Sequence, residues 1–437
     1  MLLSVGIDDT DSPEGGCTTY LAASLICTLR GLGVSFVDYP LLIRLNPNAP
    51  WKTRGNGAVC LRLSVPDENL DAVKRIIINA IEAQGKFQCD NTNPGVIFHE
   101  GEVPLELTAF YESVLTTIVK LEEAEKLIDH HCSSAVGWKN RRGLIGALAS
   151  IGATLKEDHT YELLTYRSVK NLGKKRMIDC NSVKLMDKQL GDTFNNVDPD
   201  KGQILITPRG PDPVLYGVRG ETAESVYAAF GMIKALEPVE SWAIFRTNQG
   251  TDAHLNRIYK ISDLNPMYPS VVSGEVIDKI KMIEGGHVIF TLKDETGAVD
   301  CAAYEPSGGF RFVVQGLRSG DLVRVAGGVR KIETGLTVNL ERIEVLKLVR
   351  DTRLMNPRCP KCGGSSESMG REQGFRCKVC GHRNIGFTKI EEEIKRSLQL
   401  GVYLPPPRAE RHLTKPLKRY GRERLYTPAS LHQPWYG

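Results

Sequence analysis

The sequence predicts a multidomain protein of mixed α/β and α+β class, in which an α/β domain, a ferredoxin-like domain, an OB-fold β-barrel and a four-cysteine zinc ribbon follow one another. Three observations lead to this prediction. The chain has 437 residues, which is more than one ordinary domain core accommodates. Its apolar periodicity changes from strands alternating with helices to short strands between Gly and Asp turns. Two Cys-x2-Cys pairs then stand close together near the C-terminus.

The first domain is predicted at residues 1–155. An apolar run at residues 2–7 predicts a buried strand, and an acidic, Gly-rich loop follows it. Helical periodicity then begins at Cys17 and closes at a pair of glycines. Two more strands and an amphipathic helix are expected at residues 34–45, 57–65 and 68–84. Strands alternating with helices indicate an α/β fold.

A ferredoxin-like domain is predicted at residues 156–265. The apolar segments there follow the order strand, helix, strand, strand, helix, strand over about a hundred residues, which is typical of that arrangement. The second strand of the series is expected at residues 202–208.

An OB-fold is predicted at residues 266–350, where short alternating strands are separated by Gly and Asp turns. Barrels of this type commonly bind oligonucleotides across one face of the sheet. The alternative is a barrel that serves only as a spacer between other domains.

A zinc ribbon is predicted at residues 355–385. Cys359 and Cys362 form one Cys-x2-Cys pair, and Cys377 and Cys380 form the second. Four thiolates close the tetrahedral shell of a zinc ion, so the site is expected to be structural, with His382 as a turn residue. Disulfides or free thiols are the alternative.

The last segment, residues 386–437, is predicted to be a basic helix and tail. The helix is expected at residues 390–400, where acidic residues precede basic ones. The tail alternates cations with aromatic rings, as suits phosphate contact and base stacking. Its cations are Arg408, Arg411, Lys415, Lys418, Arg419, Arg422 and Arg424, and its rings are Tyr403, His412, Tyr420 and Tyr426. A disordered, solubilising tail would have the same composition.

Charge is unevenly distributed along the chain. Residues 1–155, 156–265 and 266–437 have net charges of −5, 0 and +9, which add up to the +4 of the whole chain. The basic third suggests a polyanionic partner, and the acidic third suggests a metal or a cationic ligand. The alternative is a chance asymmetry of the solvated surface.

The densest chemistry lies after the first strand, where Asp8, Asp9 and Asp11 precede Thr18 at a helix start. Three neighbouring carboxylates repel one another unless a hard cation lies among them, and magnesium bound to nucleotide phosphates is the usual one. The helix start offers N–H groups to a phosphate, with Thr18 as cap, metal ligand or nucleophile. An acidic turn with a threonine cap is the alternative.

Two basic loops in the same domain suit a triphosphate. The first contains Lys52 and Arg54, and the second contains Lys139, Arg141 and Arg142 just before a helix. Each could equally be a solvated turn. No GxxxxGK[ST] sequence is present, which excludes a P-loop kinase.

Several of these segments together closely resemble archaeal tRNA 2-agmatinylcytidine synthetase over essentially the whole chain. They are GIDDTDSPEGGCTTYLA, TRGNGA, SSAVGWKNRRGLIGALA, PRGPDPVLYGVRGE, FRTNQGTDAH, the OB segment, CPKC with CKVC, and PPPRAERHLTKPL. The resemblance implies a kinase-like, ATP-binding first domain. It also implies an enzyme that activates the C2 oxygen of the wobble cytidine in isoleucine tRNA with a CAU anticodon. Agmatine would then displace the phosphate, forming agmatidine.

The resemblance also implies roles for individual residues. Asp8, Asp9 and Asp11 would hold magnesium and ATP phosphates, and Thr18 matches a threonine that becomes phosphorylated in the family. The cations expected to stabilise charge during transfer are Lys52, Lys139, Arg141 and Arg142, and Arg54 is expected to help bind ATP.

The guanidinium of agmatine calls for a carboxylate, for which Asp212 is the candidate, with Arg209 and Tyr216 lining the same pocket. A Pro-Asp turn between two strands would explain Asp212 equally well.

Two other functions remain open at this point. The chain could modify RNA with another amine, such as lysine or putrescine. The OB-fold, ribbon and tail alone would also suit a non-catalytic nucleic-acid-binding protein, although such a protein has no use for the acidic loop.

Membrane insertion and secretion are not expected. No stretch of roughly 18 apolar residues is present, and the N-terminus lacks the pattern of a signal peptide. Of the 11 cysteines, those outside the two pairs have no regular spacing, which indicates free thiols in the cytoplasm.

Overall fold

The computed structural model describes residues 1–278, 280–425 and 431–437; Tyr426 of the predicted tail lies outside them. The N-terminal part has six strands and five helices. The strands are β1 (Leu2–Asp8), β2 (Ser35–Phe36), β3 (Leu41–Arg44), β4 (Gly57–Ser64), β5 (Gly95–Glu100) and β6 (Ser134–Gly137). The helices are α1 (Thr18–Gly31), α2 (Leu70–Gln84), α3 (Leu105–Thr116), α4 (Leu121–His131) and α5 (Gly143–Gly152).

Apolar residues four positions apart direct α1 and α2 onto the sheet. Leu21, Leu25 and Leu29 form the buried stripe of α1, and Val73 and Ile77 begin the stripe of α2. Residues at this spacing share one helix face, so the periodicity seen in the sequence is the packing face.

The next part has the strand β7 (Thr160–Arg167), the helix α6 (Cys180–Gln189), the strands β8 (Thr193–Phe194) and β9 (Val214–Gly220), the helix α7 (Ala223–Met232) and the strand β10 (Val239–Thr247). The four strands are antiparallel neighbours in the order β10-β7-β9-β8, which is the ferredoxin-like arrangement. The strand expected at residues 202–208 is not formed. Residues 193–194 replace it beside β9, while residues 203–206 make isolated backbone bonds to Asn196, Asp198 and Gly217.

One sheet runs through both parts, in the order β6-β5-β1-β4-β3-β10-β7-β9-β8, with β2 beside β4. The connection is a parallel pairing of Leu41 and Leu42 with Arg246 and Thr247. The buried guanidinium of Arg246 bonds to Asp38 across this seam. The sheet therefore continues across the boundary predicted between residues 155 and 156.

The third part is a closed barrel. Its elements are β11 (Pro269–Val276), β12 (Lys281–Ile283), β13 (His287–Lys293), β14 (Ala298–Ala303), α8 (Phe310–Gln315), β15 (Leu322–Ile332) and β16 (Gly335–Lys347). The strand order is β11-β15-β16-β14-β13-β12, and a β11–β13 pairing closes the barrel. Its interior is filled by small and branched apolar side chains, among them Val272, Val325 and Ile343.

The ribbon follows on a two-stranded stem of β17 (Thr352–Met355) and β21 (Ile390–Glu393), which frame β18 (Ser366–Ser368), β19 (Phe375–Cys377) and β20 (Arg383–Asn384). The helix predicted at residues 390–400 is wrong. Residues 390–393 instead pair with β17, where Arg353 bonds to Glu392 at 3.0 Å. Arg396, from the same predicted helix, forms an ion pair with the buried carboxylate of Asp321 at 2.7 Å.

After β22 (Gly401–Tyr403), which pairs with β16, the chain returns to the N-terminal parts as a strap, residues 404–425. Ion pairs fasten the strap to the ferredoxin-like part. Arg419 has no exposed surface and lies 2.9 Å from Asp158 and 2.8 Å from Glu221. Arg408 reaches Asp198 at 2.7 Å.

The last residues, 431–437, form a terminal peptide along the seam of the shared sheet. Its backbone bonds to β10, with Trp242 N–H donating to Gly437 O at 2.7 Å. The ring of Trp435 is fully buried beside Phe36 and Tyr39, with centroids 5.3 and 6.2 Å away. The end of the chain therefore packs between the first two parts.

Replacing Trp435 with Ala should lower the free energy of unfolding by roughly 3 kcal/mol, because it removes a large ring from a close-packed seam. Urea denaturation followed by far-UV circular dichroism measures this change. The matched control is Trp51→Ala, at a ring that is 50% exposed, where a change under about 1 kcal/mol is expected. Equal losses in both variants would contradict the role of the seam.

Within the described residues, no helix has the length and apolar composition required to cross a bilayer.

Candidate active site

A cavity of about 880 Å³ lies where the N-terminal part, the ferredoxin-like part and the strap meet. Many of the residues predicted from sequence to form a site line it. From the N-terminal part they are Asp8, Asp9, Asp11, Thr18, Lys52, Arg54 and Arg142, and Arg209, Asp212, Arg408 and Arg411 join them from the ferredoxin-like part and the strap. Segments about 400 residues apart in sequence thus form one pocket.

Glycines bring helix α5 against the end of β1. A Cβ atom at Gly6 would lie 2.1 Å from the carbonyl oxygen of Ala147, and one at Gly146 would lie 1.8 Å from Asp8 Oδ2. Only glycine permits so close a crossing. The start of α5 consequently stands beside the acidic loop.

The carboxylates of the acidic loop have different partners. Asp9, whose φ of 57° is left-handed, accepts from Arg142 Nη2 at 3.2 Å and from the Asn93 N–H at 3.1 Å. Asp11 accepts from Arg54 Nε at 2.8 Å. Asp8 has no ion-pair partner within the described residues.

Burial raises the pKa of Asp8 well above its usual value, and the neighbouring charge of Asp9 raises it further. Burial also raises the pKa of Asp9, although the charge of Arg142 opposes this shift. Both carboxyls therefore lack sufficient positive charge nearby, which is the condition that a bound cation relieves.

The three aspartates are not a ready-made metal cluster. Among the described residues, the four cysteines alone bring three or more ligating side chains within 4.8 Å of one another. Asp9 and Asp11 turn toward arginines instead. Magnesium is usually held by one or two carboxylates together with substrate phosphates, and the unpaired Asp8 fits that mode.

Thr18 is the first residue of α1 and is 5% exposed. Its Oγ1 lies 3.0 Å from Thr10 Oγ1 in the acidic loop. The hydroxyl is thus held between the loop and the helix start, while it still lines the cavity.

Lys139 and Arg141 do not reach the cavity, in contrast to the expectation from sequence. Both have left-handed backbones, with φ of 55° and 64°, which turn their side chains outward. Lys139 Nζ donates to the Cys89 carbonyl at 2.6 Å, and Arg141 Nη1 lies 2.8 Å from Glu125. Lys139 therefore stabilises the turn at Cys89, and Arg141 stabilises the contact of its loop with helix α4.

Asp212 is held by two arginines, contacting Arg54 Nη1 at 3.1 Å through Oδ2 and Arg176 Nη2 at 3.2 Å through Oδ1. Arg54 thereby links Asp212 to Asp11. Tyr216, which was expected to line the same pocket, is 1% exposed within the apolar core of the ferredoxin-like part. As every second side chain of β9 faces that core, Tyr216 cannot face the cavity.

The opposite wall is cationic. His412 of the strap accepts from Arg219 Nη2 at 2.9 Å, and its pKa is lowered well below the usual value by the charge of Arg44, by burial and by the charges of Arg219, Arg411 and Lys52. Burial and the charge of Arg411 lower the pKa of Lys52 to about 8. Arg219 is paired with Glu162 at 3.2 Å, and Arg411 lies 3.6 Å from Glu341. Arg44 and Lys52 add further positive charge, which favours an anionic ligand such as a phosphate.

The other strap cations serve a different purpose from the one predicted. Besides Arg408 and Arg419, Lys415 lies 3.5 Å from Asp158 and Lys418 donates to the Thr193 carbonyl. These four fasten the strap to the protein. Arg408 and Arg411 also line the cavity, and Arg411 lies 3.6 Å from Glu341 of the barrel.

Sequence reasoning did not assign several residues to the cavity, namely Arg44, Glu162, Arg219, Glu410 and His412. The available signal was the segment PPPRAERHLTKPL, which contains Glu410 and His412 but reads as a basic tail. The other residues make their side-chain contacts with residues that are distant in sequence: Arg44 with Gln249, and Glu162 with Arg219.

The four cysteines form a second centre, in the ribbon. Cys359 Sγ lies 3.7 Å from Cys380 Sγ, and Cys362 Sγ lies 3.4 Å from Cys377 Sγ. Tetrahedral zinc with thiolate ligands places sulfurs roughly 3.8 Å apart. The donor set therefore fits a structural zinc ion, as predicted.

Family models match the chain in the order of its parts. They are the TiaS TCKD domain at residues 4–139, the TiaS FLD domain at 141–254, an OB-fold nucleic acid binding domain at 271–346 and the TiaS C-terminal zinc ribbon domain at 356–398.

Relatives align over nearly the whole chain. The isoleucine tRNA 2-agmatinylcytidine synthetase TiaS of Methanocaldococcus jannaschii is 43% identical over 426 residues, which cover 96% of this chain and 99% of its own. The crystal structure of TiaS in complex with isoleucine tRNA and ATP has a TM-score of 0.85 and 40% identity, covering 96% of this chain and 97% of that one. The complex of TiaS with isoleucine tRNA, AMPCPP and agmatine has a TM-score of 0.82 and 37% identity, with the same coverage. The chain belongs to the TiaS family of isoleucine tRNA 2-agmatinylcytidine synthetases.

Proposed function

We propose that this chain is an ATP-dependent ligase that joins agmatine to C2 of the wobble cytidine in isoleucine tRNA with a CAU anticodon. The observation that carries the proposal is the cavity, in which an acidic wall at Asp8 to Asp11 faces a cationic wall around His412. A relative that aligns over 96% of the chain has been crystallised with isoleucine tRNA, AMPCPP and agmatine, which supports the same substrates here.

The reaction explains the need for ATP. The C2 oxygen of cytidine is a poor leaving group, so a phosphoryl group is first transferred to it. The primary amine of agmatine then forms a bond to C2, the C2–O bond breaks, and phosphate departs with the oxygen. Each step moves negative charge through the cavity, where preorganised cations lower the barrier.

The residues have distinct roles in this proposal. Lys52 and Arg411 hold phosphate on the cationic wall, whereas Arg54 and Arg142 hold the carboxylates of Asp11 and Asp9 in place. Magnesium, when bound, would neutralise charge on the nucleotide, and Asp8 would hold it. Thr18 presents its hydroxyl beside Thr10 at the same wall, where it could accept a phosphoryl group.

The OB barrel and the zinc ribbon would bind the tRNA. Neither contributes to the acidic wall, and the ribbon contributes nothing to the cavity lining. On this proposal they position the anticodon loop so that the wobble base, turned out of the stack, enters the cavity.

The test is incubation of unmodified tRNA transcripts with ATP and radiolabelled agmatine, followed by measurement of label in RNA. Label should enter the isoleucine transcript with the CAU anticodon and no transcript with another anticodon. Parallel reactions with labelled putrescine and lysine address amine choice. Labelling of no transcript, or of all transcripts alike, would overturn the proposal.

A further inference from the structure

A β-bulge in the barrel strand β16 lies where the barrel meets the ferredoxin-like part. The pairing of β16 with β15 skips one residue at this point: Leu340 and Arg342 have partners at consecutive positions of β15, and Glu341 between them has none. A bulge bends its strand and redirects the side chain of the extra residue, and bulges are frequent beside active sites. Glu341 is therefore a barrel residue whose side chain is turned out of the regular alternation of its strand.

The carboxylate of Glu341 is buried where the barrel, the ferredoxin-like part and the strap meet. Its Oε2 lies 3.0 Å from Nε2 of His254, a fully buried residue of the ferredoxin-like part. Its Oε1 makes no hydrogen bond within the described residues and lies 3.6 Å from Nε of Arg411 in the strap. One oxygen therefore joins the barrel to its neighbour, and the other faces a cation of the cavity wall.

Glu341 stands behind the cationic wall and does not line the cavity, whereas Lys52 and Arg411 do. Burial by itself would raise the pKa of Glu341, but contact with His254 and the charges of Arg411 and Lys52 lower it below its usual value. Nearby positive charge favours the ionised form of a carboxyl group, even a buried one. An ionised carboxylate in this position can act on a ligand in the cavity only through the cations in front of it.

We infer that Glu341 is a positioning residue for the phosphate side of the cavity, where it orients Arg411 and keeps Lys52 positively charged. This inference rests on the proposed function, which assigns phosphate to those two cations. It gives the barrel a second role besides tRNA binding, because a barrel carboxylate would then determine how well the neighbouring domains hold a nucleotide.

Lys52 is the group through which this role can be measured. The charged and titratable groups that face it are Arg411 and His412 of the strap, Arg330 of β15 and Glu341 of β16. Burial and the charges of Arg411 and Arg330 lower the pKa of Lys52 to about 8, and the charge of Glu341 opposes that shift. The pKa of His412 is well below its usual value, so this ring stays neutral while Lys52 titrates. Without the carboxylate, Lys52 would lose its proton closer to neutral pH.

The experiment is calorimetric titration of AMPCPP into the full chain, as wild type and as Glu341→Gln, at a series of pH values. Removing the carboxylate should lower the pKa of Lys52 by about one unit, so the ratio of the variant Kd to the wild-type Kd should rise roughly fivefold from pH 6 to pH 8. A purely structural defect would weaken binding by the same factor at every pH. Glu341→Asp keeps the charge, should keep the wild-type pH dependence, and covers the case in which Glu341→Gln does not fold.

A double-mutant cycle tests the contact with Arg411. If Glu341 acts through this arginine, the loss of AMPCPP affinity in the double variant Glu341→Gln, Arg411→Gln should fall short of the product of the two single losses by roughly threefold or more. Losses that multiply in full would show that the two side chains act independently.

Two controls make the result specific. Glu344→Gln changes another carboxylate of β16, which pairs with Arg324 at 2.8 Å, and should leave the AMPCPP Kd unchanged at every pH. His254→Gln removes the imidazole and keeps the carboxylate of Glu341, so it should keep the wild-type pH dependence. An unchanged tRNA Kd in Glu341→Gln would show that the barrel is intact.

Failure of the inference and failure of the proposed function give different results. If the wild type transfers agmatine to tRNA while Glu341→Gln binds AMPCPP as the wild type does, Glu341 does not position the phosphate side. A loss of affinity that is the same at every pH and is matched by His254→Gln would also overturn the inference. If the wild type binds AMPCPP but transfers no agmatine, the proposed function fails, and the Kd values still decide the role of Glu341.

Discussion

Asp9→Asn is expected to lower tRNA-dependent ATP consumption roughly a thousandfold, the effect of removing a preorganised charged group from a transition state. Asparagine tolerates the left-handed backbone that Asp9 adopts, so the loop keeps its shape. The amide cannot balance the charge of Arg142, which now bonds to Asp9 at 3.2 Å. The affinity for tRNA should stay unchanged, because the barrel and ribbon lie elsewhere.

Release of ADP or AMP measures ATP consumption, and filter binding with labelled tRNA measures affinity. The matched control is Asp71→Asn, at an exposed aspartate in the first turn of α2. A non-catalytic nucleic-acid-binding protein would behave in the opposite way. If the native chain consumed no ATP and Asp9→Asn weakened tRNA binding, the enzyme interpretation would fail.

Loss of the zinc ion is expected to remove tRNA binding before it affects ATP binding. Cys377 is buried at the centre of the cluster, and Cys377→Ser removes one of four ligands. A structural zinc site contributes about 10 kcal/mol or more to the folding of its module. With the ribbon unfolded, the tRNA Kd should rise roughly a hundredfold, the effect of losing one or two stacking contacts.

ATP affinity should be unchanged in the same variant, since no residue of the ribbon lines the cavity. Cys27→Ser, at an exposed cysteine of α1, is the control and should change neither affinity. Chelation of zinc from the native chain should reproduce the Cys377→Ser result. An unchanged tRNA Kd, or a loss of ATP binding first, would show that the ribbon does not position the substrate.

Sequence periodicity was sufficient wherever a structure depends on local pattern. The strand ending at Asp8, the helix from Thr18 and the cysteine pairs all follow from residues close together in the chain. The segment at 390–393 was misjudged because its partner, β17, lies 35 or more residues earlier. A strand with a distant partner has no local signature that separates it from a charged helix.

The partners of charged side chains were equally hard to foresee. A basic tail suggests RNA contacts, yet Arg419 is completely buried against Asp158 and Glu221. Arg141 stands in a loop that suits phosphate, yet its partner is Glu125. Tertiary structure decides which carboxylate forms an ion pair with a given cation. Composition therefore predicts how many charged residues a segment has, but not which of them bind a ligand.

The strap also bears on how the protein is made. A chain leaving the ribosome folds its N-terminal domains first, so the acidic wall exists before the strap has been synthesised. His412 and Glu410 are synthesised roughly 400 residues after the acidic loop, and Trp435 follows them. Until the strap is made, the cavity therefore has Arg44 and Lys52 but lacks His412 and Arg411, and the half-site stays open.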